Sequence, residues 1–476
     1  MKTSDICLID IMKKNLEFLK KAVPTFSRSM QLAKRIGLAA SLVVLPLVGC
    51  GGSDNDSEGT GNGTSSSAST PASTPTSVVT APTIKAQPAN LTVIELQPAS
   101  FSVTAAGGGS LAYQWKRNGT SIAGATSSTL TISSTRPADH NARYAAVVTN
   151  SAGSVTSLDA VLTQELPMFL MAGQSNMEGN VDGTLFQQLL ADLATPPNTD
   201  MKARLKERIR YWHQVPNNGY ASYGYSDKMA DLEASELIRL NAAGLIGANL
   251  TTPNPNVFCA WNNNPLIPLQ ALVADNLRCS GAVGPEMVFG QALGKAGHSS
   301  TSVIKVAYGG TTLYEDWRSP SMGGTPNAND HYAKLKSRIK SLKDKPASVN
   351  PSCTARACRW SAFVWFQGES DSFSKIHAEA YGQNLKNFIA DVRAEAGSPT
   401  LPVVIVQIGA WGQSLSFGKN VSSAQTAWVS EDKYARIINT ADLSGFFHYD
   451  PAAQLIIGER VSLAVKSLLA AAPVPK

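Results

Sequence analysis

Four short segments of the chain carry the residue types that ester or acyl chemistry needs. Residues 168–172, Met-Phe-Leu-Met-Ala, suit a buried strand and run straight into Gly173-Gln-Ser-Asn-Met-Glu-Gly179. A Ser at the C-terminal end of a strand, behind a Gly that permits a tight turn, is where an open α/β sheet presents a nucleophile. A lone Gly-x-Ser is most often only a turn. Here a second apolar run, residues 303–308, ends in Gly309-Gly-Thr-Thr312, whose backbone N–H groups can approach a developing oxyanion with no side chain in the way. A third run, Phe363-Val-Trp-Phe366, ends in Gln367-Gly-Glu-Ser-Asp371, offering an amide and two carboxylates at a strand tip. His448, in Phe446-Phe-His-Tyr-Asp450, precedes a helix-like stretch over 452–469 and supplies a base.

The elements that would position these groups are three or more strands with intervening helices. His140, His213, His298, His331 and His377 are scattered, with no His-x-x-x-His or Cys-x-x-Cys pair, so a zinc-dependent deacetylase is disfavoured and neither metal nor cofactor is expected.

The motifs Gly173-Gln-Ser-Asn-Met177, Gly309-Gly-Thr311, Gln367-Gly-Glu-Ser-Asp371 and His448 together resemble the SGNH hydrolase superfamily, in its sialate O-acetylesterase and acetylxylan esterase branch, carbohydrate esterase family six. Gly284-Pro-Glu286 and Trp317 are also similar to that branch. The resemblance covers residues 165–476 and implies a three-layer α/β/α domain around a parallel sheet. It further implies a serine esterase that removes O-acetyl groups from carbohydrate through an acetyl-enzyme. Ser175 would be the nucleophile and His448 the general base; the Ser175 N–H, a Gly309 or Gly310 N–H and the Gln367 amide would hold the oxyanion.

One departure concerns the acid that orients the imidazole. Many superfamily members carry Asp three residues before the catalytic His, and here that position is Gly445. Glu369 is the favoured substitute, with Asp442 and Asp450 as rivals. Asp450 also reads as the N-cap of the last helix, with Pro451 at its first position.

Upstream, Lys34-Arg35, an apolar stretch over 36–48 and Leu47-Val48-Gly49-Cys50 match a bacterial lipoprotein signal, with Met30 placed as its start. Residues 1–49 are thus expected to be the signal region and Cys50 a lipidated N-terminus in the cell envelope. Residues 50–82, rich in Gly, Ser, Thr and Pro, read as a flexible tether. Residues 83–164 show period-two runs between turn signals, the pattern of an all-β sandwich. Tyr113-Gln-Trp115 and the approach to Tyr144 resemble an immunoglobulin-like domain, with Val103 and Ala146 at the positions of the family's paired Cys.

The chain of 476 residues, 43% hydrophobic and 16% charged, is too long for one ordinary domain and too apolar for a disordered chain. Its net charge of +6 is concentrated before Cys50, where eight Lys and Arg face three Asp and Glu, so nucleic-acid binding loses its support. No apolar run reaches the ~18–20 residues of a spanning helix. Of the Cys beyond Cys50, local pairing is expected: Cys259 with Cys279 and Cys353 with Cys358. The long insertion over 180–283 carries Trp212, Tyr220, Tyr223, Tyr225 and Trp261, aromatics suited to a sugar-binding wall. Two other functions compete: a glycan-binding or adhesive lipoprotein in which the sandwich is the working part, and a lipase or thioesterase of the same superfamily.

Overall fold

The computed structural model describes residues 79–179, 189, 191–193, 201–206, 227–243, 245, 257–259, 267–268, 284–295, 302–323, 330–443, 445 and 448–471. The signal region expected over 1–49, residues 50–78 of the tether expected over 50–82, the aromatics Trp212, Tyr220, Tyr223, Tyr225 and Trp261, and Cys279 lie outside these residues. Residues Thr76–Lys476 form one compact unit.

Its first part is a β-sandwich. Strands β1 (Thr83–Ala86), β2 (Leu91–Ile94), β3 (Ala99–Ser102), β4 (Thr104–Ala106), β5 (Ala112–Arg117), β6 (Thr120–Ser121), β7 (Thr129–Ile132), β8 (Ala142–Asn150) and β9 (Gly153–Thr156) follow one another through short turns. The β3–β7 pair packs Phe101 against Trp115 of β5 and Tyr144 of β8; Phe101 stacks on Tyr144 with centroids 4.7 Å apart. Val103 and Ala146 are both buried in this core, so apolar contact fills the space a disulfide would occupy.

Strand β10 (Ala160–Gly173) belongs to both halves of the unit. Residues 160–165 pair with β8 and β2 of the sandwich, and from Leu166 to Gly173 the same strand lies between β13 (Ser302–Ala307) and β14 (Cys358–Phe366). The boundary expected between 164 and 165 therefore falls inside one continuous strand. With β11 (Val257–Cys259), β12 (Ile267–Pro268), β15 (Val403–Val406) and β16 (Ala435–Ile438), the second sheet has the order β12-β11-β13-β10-β14-β15-β16, parallel except for β12.

Side chains alternate across β10 because successive strand residues point to opposite faces. Phe169 and Met171 join the core under helices α2 (Asp227–Ala242), α3 (Glu286–Lys295) and α7 (Pro451–Ala471). Met168, Leu170 and Ala172 join the opposite core, under α4 (His331–Asp344), α5 (Lys375–Glu395) and α6 (Gly418–Glu431). Burial on both faces explains why these strands read as unbroken apolar runs. The result is a three-layer α/β/α arrangement with β10 at its centre, where strand order reverses and strand tips open onto a crevice.

Candidate active site

Ser175 opens the four-residue helix α1 (Ser175–Glu178) directly beyond the tip of β10 and is 8% exposed. Gly173 makes the turn at φ +156°, and a Cβ there would lie 2.0 Å from the Phe366 carbonyl oxygen, so only Gly lets β10 and β14 close so tightly beneath the nucleophile. The Gln174 N–H donates to Phe366 O and the Tyr308 N–H to Gly173 O, which locks the tips of β13, β10 and β14 together.

Gly309 follows β13 and lies against Ser175: a Cβ at that position would be 3.5 Å from Ser175 Cβ. Its N–H donates to Glu178 Oε2 at 3.1 Å. Among the described residues the N–H groups of Ser175 and Gly310 make no such bond and remain open to a ligand oxygen. Beneath them Lys305, buried in β13, donates to the Glu178 carbonyl at 2.9 Å and pairs with buried Glu286 of Gly284-Pro-Glu286. A cation is thereby placed at the C-terminal end of α1.

The Gln367 amide, expected to face the oxyanion, is committed elsewhere. Its Nε2 donates to Thr311 O at 3.0 Å and to Asp371 Oδ2 at 2.6 Å, and its Oε1 accepts from Tyr381 at 3.2 Å. An amide nitrogen has two hydrogens, and both are used. Gln367 therefore shapes the site from below. Asp371 accepts the backbone N–H groups of Leu313 and Tyr314, which fixes the loop that carries Gly309. Burial pushes its carboxyl up to about 6.

His448 is half-buried, and burial lowers its pKa below the usual imidazole value. Among the described residues no hydrogen bond reaches its ring. The turn that carries it is closed by a bridge between Gly445 and Tyr449, and the Tyr449 N–H donates to Asn176 Oδ1 at 3.1 Å. One hydrogen bond thus joins the neighbour of His448 to the neighbour of Ser175.

Among the described residues, none of the three candidate acids makes a hydrogen bond to the imidazole. Asp442 is exposed and paired with Arg460 at 2.6 Å, which holds its carboxyl below the usual range. Asp450 caps α7, its Oδ1 accepting from Ala453 N–H at 2.8 Å. Glu369, expected to orient His448, accepts instead from Asn176 Nδ2 at 2.7 Å. Among the described residues its Oε2 has no hydrogen-bond partner, and Glu369 lines a cavity of about 10 Å³, the size of one water, together with Asn176, Trp411, Leu443, Gly445 and Tyr449. Burial pushes this carboxyl up to about 7. Sequence reading quoted Asn176 and Glu178 within the nucleophile motif without giving either a role; the signal was an amide and an acid on the same turn as the Ser.

Cys353 and Cys358 are joined by a disulfide at the start of β14, while the partner proposed for Cys259 falls outside the described residues.

Residues 248–467 match the model of a family described as carbohydrate esterase, sialic acid-specific acetylesterase. Gly309, Gln367, Glu369 and His448 lie inside that segment, and Ser175 precedes it. A probable carbohydrate esterase of Arabidopsis thaliana is 27% identical over 133 residues, 27% of this chain and 44% of that protein. Endoglucanase C of Cellulomonas fimi is 40% identical over 92 residues, 18% of this chain and 8% of that one. The chain spans less than half the length of these curated relatives. A crystal structure of a carbohydrate acetylesterase from Xanthomonas citri aligns at 16% identity and a TM-score of 0.37, over 82% of this chain and 76% of that one.

Proposed function

We propose that the protein hydrolyses O-acetyl groups on carbohydrate through an acetyl-enzyme on Ser175, a reading supported by the match of residues 248–467 to the family model described as carbohydrate esterase, sialic acid-specific acetylesterase. The observation that supports this most is the Asn176–Tyr449 hydrogen bond, which joins the chain neighbour of Ser175 to the chain neighbour of His448. Ser175 Oγ attacks the acetyl carbonyl carbon as His448 takes its proton. The tetrahedral intermediate then collapses, its C–O bond to the sugar breaks, and His448 returns the proton to the departing hydroxyl. Water attacks the acetyl-enzyme by the same route in reverse order and releases acetate.

The oxyanion is received by the open N–H groups of Ser175 and Gly310, each such donor being worth ~2.7–4 kcal/mol of barrier. The imidazole closes onto Ser175 in the substrate complex, as catalytic hydrogen bonds commonly do. The chain around this site is proposed to be held at the bacterial cell envelope by a lipid on Cys50, with the sandwich an immunoglobulin-like spacer.

Acetate release from acetylated xylan, O-acetylated sialic acid and acetylated pectin tests the reading. At least one substrate is expected to be cleaved, and Ser175→Ala to abolish that cleavage. Acetate from none of them, or undiminished release by folded Ser175→Ala, overturns it. Anchoring is tested separately: Cys50→Ser is expected to move the protein out of the membrane fraction, and unchanged fractionation rejects the anchor.

A further inference from the structure

We infer that Asn176 is a positioning residue of this esterase, holding the His448 turn against the nucleophile, and that Glu369 acts through Asn176 rather than on the imidazole. The inference rests on the esterase reading above. Asn176 is 2% exposed, and three segments distant in sequence converge on it. Its Oδ1 accepts from Tyr449 N–H at 3.1 Å, its Nδ2 donates to Glu369 Oε1 at 2.7 Å, and its backbone oxygen accepts from Gln454 Nε2 of α7 at 3.0 Å.

The orientation of the amide follows from its partners. A backbone N–H can only donate, so the oxygen must face Tyr449, and the NH2 group is then directed at the Glu369 carboxyl, which accepts from it. Glu369 thus fixes the rotamer that holds the turn. The rival acids are occupied, Asp442 by Arg460 and Asp450 by the end of α7. At Gly445 an acid would be tight: a Cβ would lie 3.1 Å from Tyr449 Cδ1 and 3.3 Å from His448 O, so its neighbours would have to give by a few tenths of an ångström. Positioning by an amide substitutes for the missing Asp.

Exchange of donor and acceptor across the 2.7 Å bond tests this. Turnover of 4-nitrophenyl acetate and inactivation by a small fluorophosphonate would be measured for Asn176→Asp, Glu369→Gln and the double variant. Assayed at pH 8 or above, where the Glu369 carboxyl is ionised, Asn176→Asp sets two carboxylates against each other and is expected to lower kcat by about 10²-fold with KM nearly unchanged, slowing inactivation in parallel. Glu369→Gln retains an acceptor and is expected to cost less than about tenfold. In the double variant the new amide donates and the new carboxylate accepts, from both that amide and Tyr449, so kcat returns to within about tenfold of wild type.

A double variant no better than Asn176→Asp overturns the inference. So does a loss of about 10²–10⁴ on Glu369→Gln, the range for direct action on the imidazole. The Glu369→Gln arm stands even if Asn176→Asp does not fold. Wild-type protein that labels at Ser175 yet spares every acetylated glycan overturns only the substrate reading; failure to label and to hydrolyse overturns the esterase reading and this inference with it.

Discussion

Among the described residues, burial is the influence on the His448 ring, and it lowers its pKa from the usual 6.5. Since the base must be neutral to accept the Ser175 proton, the acid limb of kcat/KM is expected below pH 6.5. A pH profile on 4-nitrophenyl acetate checks this, and a limb near 7 would mean that ionised Glu369 is required. Glu369 itself is a burden on the fold at alkaline pH. Its folded pKa of about 7 lies above the ordinary 4.5, so its contribution is fully present below pH 4.5 and is lost as pH rises through 7. Glu369→Gln removes that loss, and its Tm is expected to exceed wild type at pH 8 and to match it at pH 5. Melting curves at the two pH values decide, and an equal or lower Tm at pH 8 contradicts the protonated, buried carboxyl. The four motif residues were legible in the sequence because Gly and polar residues at the ends of apolar runs have few structural uses. The direction of each side chain was not: an amide such as Gln367 can face a substrate or a carboxylate neighbour, and only packing decides between them.

At the scale of elements, the apolar runs at 168–172, 303–308 and 363–366 predicted the three inner strands because residues buried on both faces leave no polar alternation. The extent of β10 escaped the same reading. Gln164 and Glu165 resemble the end of a domain, yet Arg356 reaches the Gln164 carbonyl at 3.4 Å and the buried Glu95 carboxylate at 2.9 Å, and Arg359 pairs with Glu165. These partners are distant in sequence and invisible to local pattern. Arg356 sits within the loop closed by the Cys353–Cys358 disulfide, so the cross-link restrains the clamp between sandwich and catalytic layers. Arg356→Met removes the guanidinium that pairs with the buried Glu95 carboxylate and is expected to destabilise by up to about 3–5 kcal/mol, the range for breaking a buried pair. Arg356→Met with Glu95→Gln should recover much of it. Denaturant unfolding measures both, and equal stabilities for the single variant and wild type would remove the clamp from the account. At the other end of the sheet, Asp450→Ala should cost only about 1 kcal/mol, the worth of an N-cap, which thermal melts can read.

Residues 76–476 form one compact unit in which the strand that leads to Ser175 begins in the sandwich. Leu96, at φ +84°, packs into the core formed by Phe169 and Met171 on the catalytic side, a backbone strain that persists only where surroundings enforce it. Residues 76–476 are therefore expected to unfold in a single cooperative transition, and residues 83–164 alone to melt at a lower temperature than they do within the chain. Calorimetry of both fragments tests this; two well-separated transitions in the longer one would make the sandwich an independent bead. A composition shift marked the start of the ordered chain, whereas the fusion of its two parts depended on contacts between Leu96, Glu95 and residues far along the sequence. All of this architecture serves one claim, that an acyl group passes through Ser175. The most direct measurement is acid quenching during turnover of an acetyl ester, followed by mass spectrometry of the peptide that contains Ser175. The account predicts an acetyl adduct on Ser175 that accumulates in the first turnover and is absent from Ser175→Ala. Acetate release at full rate with no adduct on Ser175, and with Ser175→Ala equally active, would contradict it.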